Sequence, residues 1–134
     1  MNSPSNKQLY VWGENLFGQL GLGDDNIRPI KDPTRLNVPH STSWAQVACS
    51  PYHTVAVSSN GEVFTCGNGF SGRLGHGDEK DRSRPTKVEI PGGENVVKVA
   101  CGRVHTAAVT RTGKLFTWYV ASSCYHFFYQ SHEY

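Results

Sequence analysis

The chain has a single methionine in 134 residues and no apolar run approaching the roughly 18 residues that a membrane-spanning helix needs. Nor does Met1-Asn2-Ser3-Pro4 open a secretory leader or a myristoylation site. Charge of one sign is also scarce. Thirteen basic and eleven acidic side chains give a net charge of +2, too weak a field to announce nucleic acid or a membrane surface. The second half is mildly basic, with nine basic and six acidic groups in residues 67–134, but these are scattered. Four cysteines could form two disulfides, yet without a secretory signal free thiols in a reducing compartment are expected. The resulting expectation is a soluble cytoplasmic or nuclear protein with no membrane partner and no strong nucleic-acid signal.

Fourteen glycines and seven prolines suit short strands and tight turns better than long helices, and 37% apolar content supports a modest core. The decisive pattern is internal repetition. Gly13, Gly18, Leu20, Gly21, Gly23 and Asp24 recur 54 residues later as Gly67, Gly72, Leu74, Gly75, Gly77 and Asp78. A second set, including Val47, Cys49, His53, Thr54 and Gly61, recurs after 52 residues as Val99, Cys101, His105, Thr106 and Gly113. The two-residue difference falls between Asp24 and Pro33, where a polar surface loop absorbs it.

Within each unit, Val47–Cys49, Thr54–Ser58 and Glu62–Cys66 read as strands. Asn60-Gly61 predicts a type I′ hairpin, which needs positive φ at both residues, and Thr112-Gly113 predicts a looser turn. Residues 33–38 and 85–90 read as outer strands begun by proline. Gly67–Asp78 has neither apolar period and is expected to be an ordered loop anchored by Leu74, as Leu20 anchors the first. Its shared glycines are expected at positive φ.

The strings Tyr10-Val11-Trp12-Gly13-Glu14-Asn15 through Gln19-Leu20-Gly21-Leu22-Gly23, and Val99-Ala100-Cys101-Gly102-Arg103 through His105-Thr106, resemble the repeat of the regulator of chromosome condensation family. The resemblance covers about residues 9–118. It implies an all-β fold of four-stranded blades, seven of which close a propeller. The chain reads as an incomplete propeller: an N-terminal tail 1–8, repeats 9–61 and 62–113, the start of a third at 114–118, and an aromatic tail 119–134. The resemblance also implies nucleotide exchange on a Ran-type small GTPase and chromatin association. No residue here can be matched to the exchange activity, and a basic tail for chromatin is lacking.

The pattern stops within a strand. Leu115-Phe116-Thr117-Trp118 should be followed by glycine, but Tyr119 stands there, and six of fifteen aromatics fall in the last sixteen residues. We read this break as a longer propeller message expressed in short form with a foreign tail; a native C-terminal strand is the alternative. Two blades leave raw faces and unpaired edges, so self-association through them is expected.

Chemical motifs yield to the repeat. Gly67-Asn68-Gly69-Phe70-Ser71-Gly72 fits the dinucleotide fingerprint, but Arg73-Leu74-Gly75-His76-Gly77 is a poor helix opening, and Asn15 stands at the equivalent of Gly69. Cys49 with His53 and Cys101 with His105 mimic zinc spacing, yet as equivalent residues of successive blades they read as framework. Ser71 lacks the nucleophile-elbow spacing, and Cys66 occupies the slot of Trp12 and Trp118. Lys80, Arg82 and Arg84 alternate with Asp81 and Ser83 and read as a solvated loop. No catalytic residue, cofactor or metal is assigned.

The framework is therefore expected to comprise Gly13, Gly18, Gly21, Gly23, Gly67, Gly72, Gly75, Gly77, His53 and His105. Recognition is expected at loop positions that differ between copies: Leu16, Gln19, Phe70, Arg73, His76 and Arg103. The expected function is noncatalytic protein interaction.

Overall fold

The structure, a computed structural model, describes residues 7–38 and 42–119 and the backbone of 126–128. Its longest buried run is β-branched and alanine-rich: β4 (His53–Ser58) has five of its six residues buried. Such a strand must be paired on both sides. It lies between β3 (Trp44–Cys49) and β5 (Val63–Gly67), and β6 (Arg82–Val88) closes the antiparallel order β3-β4-β5-β6. This is one complete four-stranded blade.

Two further sheets flank it in sequence. β1 (Tyr10–Gly13) and β2 (Ile30–Arg35) form a two-stranded sheet. β7 (Val96–Cys101), β8 (Thr106–Thr110) and β9 (Leu115–Trp118) form another, to which β10 (His126–Phe128) adds a short fourth strand. Sheets and sequence repeats are thus out of phase, since the complete blade runs from Trp44 to Val88. The aromatic tail contributes β10, which pairs His126 with Thr117 and Phe128 with Leu115.

The main apolar cluster joins the second and third sheets rather than filling either one. Val55, Val57, Val63 and Val88 meet Val96, Val99, Ala108, Phe116 and Trp118. This is how repeats that cannot bury a face alone gain stability. Among the described residues, helix is confined to three single 3-10 turns, and no helix is long and apolar enough to cross a membrane.

All eight shared loop glycines have positive φ, as expected. The hairpins differ from expectation. Asn60 does not have positive φ, whereas Gly61 does, at 80°. Ser58 N–H donates to Glu62 and Gly61 N–H to Ser58, giving a three-residue loop with its left-handed residue last. Thr110, Lys114 and Gly113 repeat these bonds. Glycine at the third position fixes both turns, so the second turn is no looser than the first. The outer strands also begin three residues before their prolines. Pro33 and Pro85 sit at register shifts in β2 and β6, where the missing N–H breaks no regular ladder.

Candidate interaction surface at the blade loops

Each glycine-rich loop leans on the next blade through a long polar side chain. Gln19 Nε2 donates to the Pro51 carbonyl at 2.9 Å, and Arg73 Nη1 donates to the Arg103 carbonyl at 3.0 Å. The donors are equivalent residues, and so are the acceptors. Thr54 Oγ1 returns a bond to the Gln19 carbonyl, and Thr106 Oγ1 returns one to that of Arg73. The sequence reading placed Gln19 and Arg73 among recognition residues because they differ between copies. The structure buries both, at 5% and 4% exposure, because two different side chains perform one junction task. Arg73→Gln should therefore fold with little loss. Arg73→Leu should cost roughly 1–3 kcal/mol by leaving a carbonyl without its donor, read as a lower urea midpoint.

The second junction has an additional polar chain. Ser50 Oγ lies 2.8 Å from His53 Nδ1, and His53 Nε2 lies 2.7 Å from Thr106 Oγ1. Because the Thr106 hydroxyl donates to the Arg73 carbonyl, His53 must donate from Nε2 and accept at Nδ1. Both ring nitrogens are occupied by hydroxyls, so neither faces a metal. Burial, then the charges of Arg73 and His105, lower its pKa to about 4.

His105 departs from its expected framework role. It is exposed, because Gly102 replaces Ser50 as its neighbour and the described structure has no following blade to supply a threonine. His76 is half-buried. Its Nε2 lies 2.8 Å from Thr65 Oγ1, whose hydroxyl donates to the Leu74 carbonyl, and burial lowers its pKa. It faces the loop interior rather than a partner. Leu74 is buried at 1% exposure, while Leu20 is only half-buried.

The remaining candidates are exposed. Leu16 is 60% exposed and Phe70 63%, and Arg103 is also exposed. They are linked through Tyr52. The Phe17 ring, next to Leu16, lies 5.5 Å from the Tyr52 ring. The guanidinium carbons of Arg73 and Arg103 stand 5.2 and 5.6 Å from the same ring, and Arg103 Nη2 donates to the Tyr52 hydroxyl. Arg73 Nε donates to the Phe70 carbonyl at 2.7 Å, which joins the second loop to this cluster. An aromatic ring flanked by guanidiniums, with exposed apolar neighbours, has the composition of a protein-binding surface. Tyr52 and Phe17 were missed by sequence reading, since Val104 and Ser71 at the equivalent positions carry no ring.

Other motifs find structural uses. The fingerprint-like segment makes only the turn Phe70–Gly72, and Gly69 is required because the Lys80 backbone lies against it. Asn15, fully buried, donates from Nδ2 to the Asn26 carbonyl and accepts from Leu20 N–H, while Gly69 N–H is held by Asp81 Oδ1. Cys66 is 3% exposed, and burial, assisted by Cys101, pushes its thiol up to about 12. A thiol held protonated is a poor nucleophile. Arg82 is paired with Asp78.

Stacked four-stranded antiparallel units of this kind are blades of a β-propeller, here an incomplete one. The regulator of chromosome condensation (RCC1) repeat model matches residues 7–57 and 60–109, and a second model of the same repeat matches 44–73. The chain belongs to the RCC1 repeat family. It is 40% identical over 117 residues to the human probable E3 ubiquitin-protein ligase HERC3, covering 87% of this chain and 11% of that protein. It is 38% identical over 116 residues to the Arabidopsis thaliana ultraviolet-B receptor UVR8, covering 87% and 26%. Two solved structures share the fold: Prp20p of Saccharomyces cerevisiae (TM-score 0.74, 25% identity) and human WBSCR16 (TM-score 0.75, 30% identity). Each comparison covers 86% of this chain and 30% of the other. The chain thus spans less than a third of each of these relatives.

Proposed function

We propose that the chain is a noncatalytic protein-interaction module of the cytoplasm or nucleus, binding its partner through the loop surface around Tyr52. The observation that carries this reading is the division of labour in the loops. The buried hooks Gln19 and Arg73 hold the blades together, while Leu16, Phe70 and Arg103 stay exposed beside one aromatic cluster. Binding then needs no ionisable group with catalytic geometry.

Capture of cellular proteins on the immobilised chain tests it, with Leu16→Ser, Phe70→Ser and Arg103→Glu combined in a control. A partner retained by the wild type should be lost from the triple variant. Equal retention by both overturns the reading. A second reading, regulation of a Ran-type small GTPase, draws on the fold shared with Prp20p, a protein described by its binding to Gsp1p and histones. Release of a fluorescent GDP analogue from such a GTPase should stay at its intrinsic rate when the chain is added. Acceleration at catalytic amounts of the chain would establish exchange activity instead.

A further inference from the structure

We propose that the Tyr52 surface takes a short segment of a partner protein in which one acidic side chain sits close to an apolar one. Arg103 holds the carboxylate, and the apolar side chain fills a cleft at Leu16, Phe17 and Ile27. The inference rests on the reading that a partner binds through this surface, and adds the chemistry of what is bound.

The cleft is built where the loop between β1 and β2 lies against the start of β6. It has a volume of about 470 Å³; Leu16, Phe17, Asp24 and Ile27 line it from the loop, and Asp81, Arg82, Ser83 and Arg84 from the strand side. The two sides are tied together. Gly23 N–H donates to the Ser83 carbonyl at 2.9 Å, and a methyl group added at Gly18 would stand 2.8 Å from Ser83 Cα. Phe17 then joins the cleft to the arginines. It lines the cleft, and its ring lies 5.5 Å from that of Tyr52, whose hydroxyl accepts from Arg103 Nη2 at 3.3 Å.

Arg103 is available to an anion. Its guanidinium has five N–H donors, and Tyr52 takes one of them. The ion pairs among the described residues are Asp78–Arg82, Glu62–Lys87 and Glu94–Lys114, so no described carboxylate pairs with Arg103. Exposure belongs to the position itself. Pro51, its equivalent, is exposed although Gln19 of one glycine-rich loop bonds its carbonyl and Asn68 of the next bonds that of Tyr52. Resting on the Tyr52 ring, the guanidinium is already oriented, and its fork matches the two oxygens of a carboxylate.

The surrounding charges choose the ligand. Arg73 stands on the same ring as Arg103, so a basic side chain placed there would meet two cations. The cleft has the opposite bias. Arg82 is neutralised by Asp78, which leaves Arg84 against two carboxylates, Asp24 and Asp81. A nucleic acid would carry its phosphates onto those carboxylates. A segment with a single acid places a neutral side chain there instead, over Leu16 and Ile27, which are 60% and 41% exposed.

Selection of random phage-displayed peptides on the immobilised 134-residue chain tests the proposal. Enriched peptides should carry one Asp or Glu close to a Leu, Ile or Phe. In a synthetic copy of one of them, replacing the acid by Asn or Gln should raise Kd roughly tenfold, and Arg103→Gln should do the same. The two losses should not add, because each removes the same bond. Arg103→Glu should reverse the preference, favouring a peptide with Lys in place of the acid. Ile27→Ser should weaken the acidic peptide and its amide equally. Enriched peptides that lack an acid but are lost on Leu16→Ser and Phe70→Ser overturn the inference and leave the surface standing. Peptides whose binding none of these substitutions changes overturn both. Additive losses, or displacement of the peptide by single-stranded oligothymidylate, overturn the inference. So does a selection that enriches nothing, and the capture experiment then judges the surface itself.

Discussion

Gly67→Ala should destabilise the chain by roughly 3–5 kcal/mol, whereas Gly13→Ala, at the equivalent position of the first repeat, should cost only about 1–2 kcal/mol. Both glycines have positive φ, 114° and 110°, so both substitutions pay the same backbone strain. They differ in what a methyl group would meet. At Gly67 it would press into the Tyr52 carbonyl oxygen and stand 2.8 Å from His53 Cα, both of them backbone atoms that cannot turn aside. At Gly13 no atom lies within 4 Å, since among the described residues no strand lies against β1 where β4 lies against β5. Urea unfolding of the two variants measures the difference. Equal losses would mean that φ alone decides the cost and that the packing around Gly67 yields.

The second large effect is expected in acid. His53 is neutral in the folded chain, its pKa lowered from 6.5 to about 4 by burial and by the charges of Arg73 and His105. Between these two values the unfolded chain binds more protons than the folded one. Stability that is full above pH 6.5 therefore drains away as pH falls toward about 4. That interval corresponds to roughly 3 kcal/mol, with His76 adding to it in the same direction. His53→Gln keeps polar atoms at the junction but cannot titrate. It should flatten most of this acid dependence, leaving the share of His76, at some cost in stability at neutral pH. Unfolding midpoints across the range check it, and an unchanged acid slope would show that His53 is not the responsible group. Asp78, whose carboxyl is held well below its usual range by the Arg82 hydrogen bond, gives way only at lower pH and does not confuse the reading.

Both effects concern residues that the repeat marked out, yet their magnitudes come from neighbours distant in sequence. The same holds for the loops. Gln19 and Arg73 look like variable surface positions in a pairwise comparison of the repeats, and only the carbonyls of Pro51 and Arg103 reveal their shared task. His53 and His105 look identical, and one is buried while the other is exposed. Tyr52, at the centre of the candidate surface, had no repeated partner to draw attention to it.

What the sequence determined by itself was the repeat: its period, its strands, and the glycines whose positive φ only a residue without Cβ adopts freely. These are local properties, written in spacing and backbone sterics. Only the tertiary structure decided that the blade straddles two repeats and that each loop is hooked to the next blade. Those outcomes depend on which strands lie side by side. Equivalent residues acquire different surroundings wherever a neighbouring blade is present on one side and absent on the other.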